Sequence, residues 1–325
     1  MSVNLTELVA TTLRNRPKFV ADNVTNHNAM LRTFEDNGNI KTAGGGRELT
    51  EPLLYNELAT KFYDGYETFS IDTSQEVIDS AVYQWKQLGG FSFISGKEKI
   101  MNREKWQAVS IAESRIDALT AGLRNKTGLS MYGTGTAEGG KEFGGLRLLV
   151  ADAPGGAGTV GGIDQVAHPW WQNQADISTT SLATATDTLS RMNAMSLACT
   201  RGTDQTDLIM ANGAYFTSYW ELLQANARHT SAKMADAGFR TLEFVGIPVV
   251  YDAQCATDLT TAGEGRMYFL NTKYVKFKKA AERWFTTEEA RKVENADYDV
   301  IPNWTMGNMT TNARFLQGVL VTDVA

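Results

Sequence analysis

Cysteine occurs only twice in these 325 residues, at Cys199 and Cys255, and histidine three times, at His27, His168 and His229. Two distant thiols exclude a disulfide framework and any C-x-x-C motif, and they point to a reducing compartment. Cys199 falls on the apolar stripe of a predicted helix and reads as a core thiol. The scattered histidines make no H-E-x-x-H or other metal spacing and read as surface or packing residues. A G-x-S-x-G elbow and a P-loop are also missing. No apolar run approaches the roughly 20 residues that a membrane helix needs. The opening "MSVNLTELVATTLRNRPKF" has no signal-peptide core, so the expectation is that the chain stays in the cytosol where it is made. Positive charge is short as well: the net charge is −6, so a basic surface for nucleic acid has to be local.

What is present fits an ordered globular protein of two domains or one elaborate one, with 42% apolar and 21% charged residues. Residues 1–46 predict short amphipathic helices around Leu5–Asn15 and Asn28–Asp36, then dissolve into "DNGNIKTAGGGR". This arm is too poor in large apolar residues to hold a core of its own. Residues 47–80 interleave aromatics with eight acids against two bases, Arg47 and Lys61. Pro52 and Gly65 fit a long two-stranded excursion with a turn near its tip. "AVYQWKQLGGFSFIS" reads as a strand interrupted by a bulge at Gly89-Gly90. Asn102 then caps a long helix whose stripe is Trp106, Val109, Ala112, Ile116, Leu119 and Leu123, with Gly128 terminating it. From 134 to 270 the pattern is mixed α/β. It comprises a strand at Leu146–Val150, a helix from about Thr180 to Thr200, the strand "DLIMA" and a helix through "AYFTSYWELLQANAR". Strands follow in "TLEFVGIPVVYD", "RMYFLNTKYVKFKK" and "NARFLQGVLV".

Gly156–Gly161, GAGTVG, matches G-x-G-x-x-G after an apolar run. A dinucleotide fingerprint needs its third glycine to open a helix that receives the pyrophosphate. Here "GIDQVAHPWW" follows, with a second glycine at once and Pro169 close behind, so the glycines read as backbone devices in a loop. Trp170-Trp171 and the cluster Tyr215, Phe216, Tyr219 and Trp220 are candidates for a ligand pocket, though the latter's helical spacing favours core. Lys273, Lys276, Lys278 and Lys279 alternate with Tyr274, Val275 and Phe277 like a strand with one wet face. That face is either merely solvated or meets a polyanion or an acidic neighbour. An extended arm and a long acidic excursion bury little of themselves, which suits a protein that gains buried surface from copies of itself.

The stretches "SAVYQWKQLGGFSFISGKEKIMN", "EFGGLRLLVAD", "GTVGGID", "WWQNQ", "LACTRGTDQTDLIMANGAYF", "MADAGFRTLEFVGIPVVYDA", "RMYFLNTKYVKFK" and "RFLQGVLV" resemble, in order, the major capsid proteins of tailed double-stranded-DNA bacteriophages. The resemblance runs from about Gly44 onward and implies an α+β chain of the Hong Kong 97-type capsid fold. It implies an N-terminal arm at 1–46, an E-loop at 47–82, a peripheral domain at 83–133 with a spine helix at about 103–126, and an axial domain at 134–270. Residues 271–325 would close the peripheral domain, although the last strand could rejoin the axial one.

The implied function is self-assembly into pentamers and hexamers of an icosahedral shell enclosing double-stranded DNA, with no enzyme activity and no cofactor, metal or membrane. The implied partners are other copies, a separate scaffolding protein, a portal, possible decoration proteins, and DNA through non-specific contacts. An encapsulin-like compartment shell is the alternative, and a nucleotide-binding enzyme a remote one. Lys61, the only lysine of the E-loop, does not by itself establish a cross-link. Candidates for contacts between subunits are Tyr55, Glu57, Phe62, Tyr63, Tyr66 and Glu67 on the loop. The loop is expected to rest on one or both of two basic surfaces of a neighbour, region 97–126 and segment 266–283 with Lys276, Lys278 and Lys279.

Overall fold

The computed structural model describes residues 28–58, 60–66, 76–101, 111–179, 185–225, 241–259 and 264–323. The expected helix at Leu5–Asn15, the cap at Asn102, Trp106, Val109, Glu67, His27 and His229 lie outside the described residues. The chain divides into two compact units. The first comprises the described part of Met1–Gly45 with Trp85–Gly145 and Phe277–Asn308. The second comprises Gly46–Gln84, Leu146–Lys276 and the described part of Met309–Ala325.

In the first unit, helix α1 (Ala29–Asp36) starts where expected because the Asn28 side chain accepts the Leu31 N–H at 2.8 Å. It buries Met30, Leu31 and Phe34. The short α2 (Gly96–Met101) is followed by the long α3 (Ile111–Ser130). Gly128 does not end α3, as its sequence position predicts: the helix passes through it to Ser130. A side chain there would overlap Asn28, so the glycine serves the approach of the α1 cap to α3.

Strand β1 (Ile40–Ala43) pairs in parallel with β12 (Val275–Ala280), Ile40 opposite Phe277. Strand β4 (Lys86–Ser95) pairs antiparallel with β15 (Tyr298–Thr311) in unbroken register from Lys86 opposite Gly307 to Ser95 opposite Tyr298. The expected bulge at Gly89-Gly90 is therefore absent, and the chain breaks at Trp85 instead. Both glycines answer to close packing: a Cβ on Gly90 would lie 2.5 Å from Leu119 Cδ1, and one on Gly89 would overlap the Trp304 ring. Two short strands, β13 (Thr286–Thr287) and β14 (Arg291–Lys292), also pair with β15.

Arg115 on α3 grips Glu98 on α2 through both guanidinium nitrogens, at 3.0 and 3.1 Å. These bonds hold the Glu98 carboxyl below its ordinary value of 4.5. A carboxylate with a depressed folded-state pKa stabilises the fold above its unfolded pKa, and that contribution is lost as pH falls through the folded one. The urea midpoint of the wild-type chain is thus expected to fall as pH drops below 4.5, with a shallower decline in Glu98→Gln. Equal declines would show that this pair carries none of the acid sensitivity.

The second unit is built on a six-stranded sheet. Its strands are β7 (Gln174–Ser178), β16 (Gly318–Thr322), β11 (Gly265–Leu270), β8 (Leu208–Ala211), β10 (Ile247–Tyr251) and β9 (Thr241–Phe244), in that spatial order. The last strand, which the sequence left open between two placements, lies between β7 and β11. β8, β11 and β16 are buried along their whole length and, apart from Arg266 and Thr322, read as apolar runs.

Helices α4 (Ala185–Ala198) and α5 (Gly213–Ala225) supply Met192, Met195, Tyr215, Phe216 and Tyr219 to the core. The aromatic cluster on α5 is thus packing. Cys199 and Cys255 are fully buried, and burial pushes the Cys199 thiol up to about 12 and that of Cys255 well above its usual range. Leu146–Val150, expected as a strand, begins with a buried helical turn at Leu146–Leu149. An apolar run this short carries no periodicity to separate a buried turn from a buried strand.

Candidate functional site

The acidic excursion folds as expected. Strands β2 (Glu48–Leu54) and β3 (Ile78–Gln84) form an antiparallel ribbon with Glu48 opposite Gln84 and Leu54 opposite Ile78. Residues directly opposite share a face, so Leu49 and Tyr83, then Glu51 and Ala81, lie on the same face of the ribbon, and all four are buried. The root is bolted down by polar bonds. Thr310 Oγ1 donates to Glu51 at 2.7 Å, Tyr83 Oη donates to the Thr311 carbonyl at 2.9 Å, and Val82 N donates to the Gly161 carbonyl at 2.8 Å. Burial pushes the Tyr83 hydroxyl pKa far up, so it stays a donor.

GAGTVG belongs to this root. Strands β5 (Thr159–Val160) and β6 (Ile163–Asp164) form a tight hairpin whose turn, Gly161-Gly162, has φ of 61° and 79°. A Cβ on Gly161 would come within 2.9 Å of the Ala81 side chain. The element after the hairpin is a 3-10 turn at Pro169–Trp171, which offers no long helix N-terminus to a pyrophosphate. Trp170 and Trp171, the candidates for a ligand pocket, both make contacts within the chain. Trp170 stacks on Tyr55 at 5.1 Å and 19°, while buried Trp171 donates its indole N–H to the Val160 carbonyl. His168 lies beside them, 5.6 Å from the Trp170 ring.

Beyond Tyr55 the excursion changes character. Phe62 and Tyr66 are fully exposed, and Leu54, Leu58, Tyr63 and Ile78 are exposed as well. Glu57 and Asp64 are exposed among them. So many large apolar side chains exposed together are unusual on the surface of a monomeric protein.

The bases named as its landing ground are less available than their number implies. Arg266 is 1% exposed and held by Asp152 and Asp258, both at 2.7 Å. Arg115 is spent on Glu98, Lys99 on Asp299, Lys126 on Glu138 and Lys273 on Asp204. Lys279 lies over the Trp284 ring. On β12, Lys276, Lys278 and Lys279 are half-buried between the buried Val275 and Phe277, as the alternation predicts.

Sequence reasoning passed over a second exposed aromatic set, Phe91 and Phe93 on β4. Its signal was present in the two-residue spacing of the phenylalanines, which puts both on one face of a strand. Among the described residues no group of three or more His, Cys, Asp or Glu is placed to hold a metal, and no helix is long and apolar enough to cross a membrane.

No protein-family model matches the chain, and no curated protein sequence matches it. Solved structures do. The cyanophage A-1(L) capsid asymmetric unit superposes with a TM-score of 0.69 at 16% identity, over 98% of this chain and 98% of that one. The capsid of Myoviridae phage XM1 gives 0.63 at 11% identity, over 95% and 97%. The encapsulin complex of Synechococcus elongatus gives 0.62 at 7% identity, over 100% and 97%.

Proposed function

We propose, from the Hong Kong 97-type capsid fold that this chain has, that it is the major capsid protein of a tailed bacteriophage. It assembles into pentamers and hexamers of an icosahedral shell around double-stranded DNA. The observation that carries the reading is the projecting β2–β3 ribbon, bolted at its root by Glu51 and Tyr83 and bare of cover at Phe62 and Tyr66. A free monomer gains nothing from such a projection, whereas an array of copies buries it.

In this reading residues 1–46 are the N-terminal arm, 47–82 the E-loop, and α3 part of the spine helix. The six-stranded sheet then forms the axial domain. Tyr55 serves the loop within its own chain. Glu57, Phe62, Tyr63, Tyr66 and Glu67 face a neighbour, with Lys276, Lys278 and Lys279 available to acidic groups. A scaffolding protein, a portal and decoration proteins complete the particle, DNA is held without sequence preference, and the chain performs no catalysis.

The likeness to an encapsulin keeps a compartment shell as the second reading. Expression alone and with the neighbouring genes, followed by sedimentation and electron microscopy, tests both. Closed particles that fill with DNA when the packaging genes are present are expected. Closed particles that take up a co-expressed enzyme instead would favour the compartment, and a chain that stays monomeric under all conditions would overturn both.

A further inference from the structure

Four described residues other than glycine have a positive φ: Glu138, Val245, Phe285 and Asn295. Three of them are accommodated within the chain. Asn295 is of a type that tolerates the left-handed region, Glu138 is ion-paired to Lys126, and the Phe285 ring meets both Trp284 and the Arg124 guanidinium. Val245 is different. It is β-branched, the side-chain class least suited to a φ of 51°, and it is 81% exposed.

The turn leaves this residue no other conformation. Phe244 pairs with Ile247 in register, so only Val245 and Gly246 join β9 to β10, with φ of 51° and 79°. Asn-Gly or Asp-Gly makes such a turn without strain. Both flanks are fixed as well. Phe244 is buried edge-on against Tyr219 and Phe269, Ile247 is buried, and Tyr219 Oη donates to the Glu243 carbonyl at 2.8 Å. Valine at this tip is therefore unfavourable twice, through backbone strain and through apolar exposure. Nothing among the described residues compensates for either. Strain that persists in this way marks a place where function uses it. A rigid post carrying one apolar knob is preorganised for contact with another molecule.

The same sheet carries a match for the knob. β9 is one edge of the six strands and β7 is the other. On β7, Asp176 turns to Arg191 of α4, so the next residue, Ile177, points the other way, and it is 51% exposed.

We infer that Val245 of one copy packs against Ile177 of the next, an inference that rests on the self-assembly reading above. Each chain carries one knob and one matching edge, so a head-to-tail contact satisfies every copy in a closed ring. Burying a side chain of this size favours association by about tenfold. The presence of both halves on one sheet favours a second copy over an unrelated partner.

Two single-cysteine variants of different tag length, Val245→Cys and Ile177→Cys, test this after co-assembly and mild oxidation. The native Cys199 and Cys255 are buried and stay silent. A cross-link joining the long-tagged to the short-tagged chain, in excess of either like-with-like product, is expected. Particles without that mixed product overturn the contact and leave the self-assembly reading intact. Wild-type protein that forms no particles refutes the reading and the contact with it.

Val245→Asn separates the contact from a merely structural turn. Asparagine suits the positive φ, so the urea midpoint of the unassembled chain should rise while assembly slows about tenfold. A raised midpoint with assembly at the wild-type rate would overturn the inference. So would a lowered midpoint, which would mean that the valine is packed within its own chain.

Discussion

Arg314→Ala is expected to destabilise the second unit by about 4 kcal/mol or more, the loss of several hydrogen bonds to a buried charge together with the cavity left behind. The guanidinium is fully buried and its acceptors are neutral. Nε donates to the Leu149 carbonyl at 2.7 Å, one terminal nitrogen to Gln165 and the Trp171 carbonyl, and the other to Asn173 Oδ1 at 3.0 Å. Burial pulls its pKa down to about 10, still far above neutrality, so the group remains a cation held by dipoles. Truncation strands two main-chain carbonyls and the Gln165 side-chain oxygen where water has little access, and leaves Asn173 Oδ1 with the Ala151 N–H alone. Lysine restores little, because three donors on one atom cannot span acceptors arranged for a planar fork. Urea unfolding of the unassembled chain measures the effect, and a loss under about 1 kcal/mol would mean the surroundings repack without the fork.

The second large effect is Gly145→Ala, expected to cost about 3 kcal/mol or to prevent folding of the first unit, at or beyond the usual range for overpacking. An added Cβ would overlap the Ser130 carbonyl at the end of α3 and lie 2.6 Å from the Gly133 nitrogen. All its neighbours there are main-chain atoms, so no rotamer change relieves the clash. Gly155 is the control: nothing lies within 4 Å of its missing Cβ, and Gly155→Ala is expected to shift stability by less than about 0.5 kcal/mol. If both variants unfold at the same denaturant concentration, the crowding at Gly145 is not a constraint.

These glycines also show what was legible in the sequence and what was not. Local signals read well. The helix expected around Asn28–Asp36 forms, strands β9 and β10 form within TLEFVGIPVVYD, and the acidic excursion is two-stranded. Gly128 and Gly89-Gly90 were read just as locally, as a terminator and a bulge, yet each makes room for a residue distant in sequence: Asn28, Trp304 and Leu119. One chain read alone carries no trace of such an approach. The basic surfaces were over-counted for a related reason, since a sum of charges cannot know that Arg266 is already surrounded by Asp152 and Asp258. Within the candidate site, the exposed aromatics of the loop were legible because they alternate with acids. The root was not, because Glu51, Tyr83, Gly161 and Thr310 come from three separate stretches.

The position of β15 and β16 has a consequence for how the chain is made. β15 is the strand against which β4 lies, and β16 separates β7 from β11, so neither sheet can close until both strands have left the ribosome. Every nascent length that ends before β15 lacks a strand from each sheet, and late-made strands paired with distant early ones make for slow, non-local closure. The pairings that complete the two sheets are therefore the last to form, and a chain stopped short of β15 can close neither.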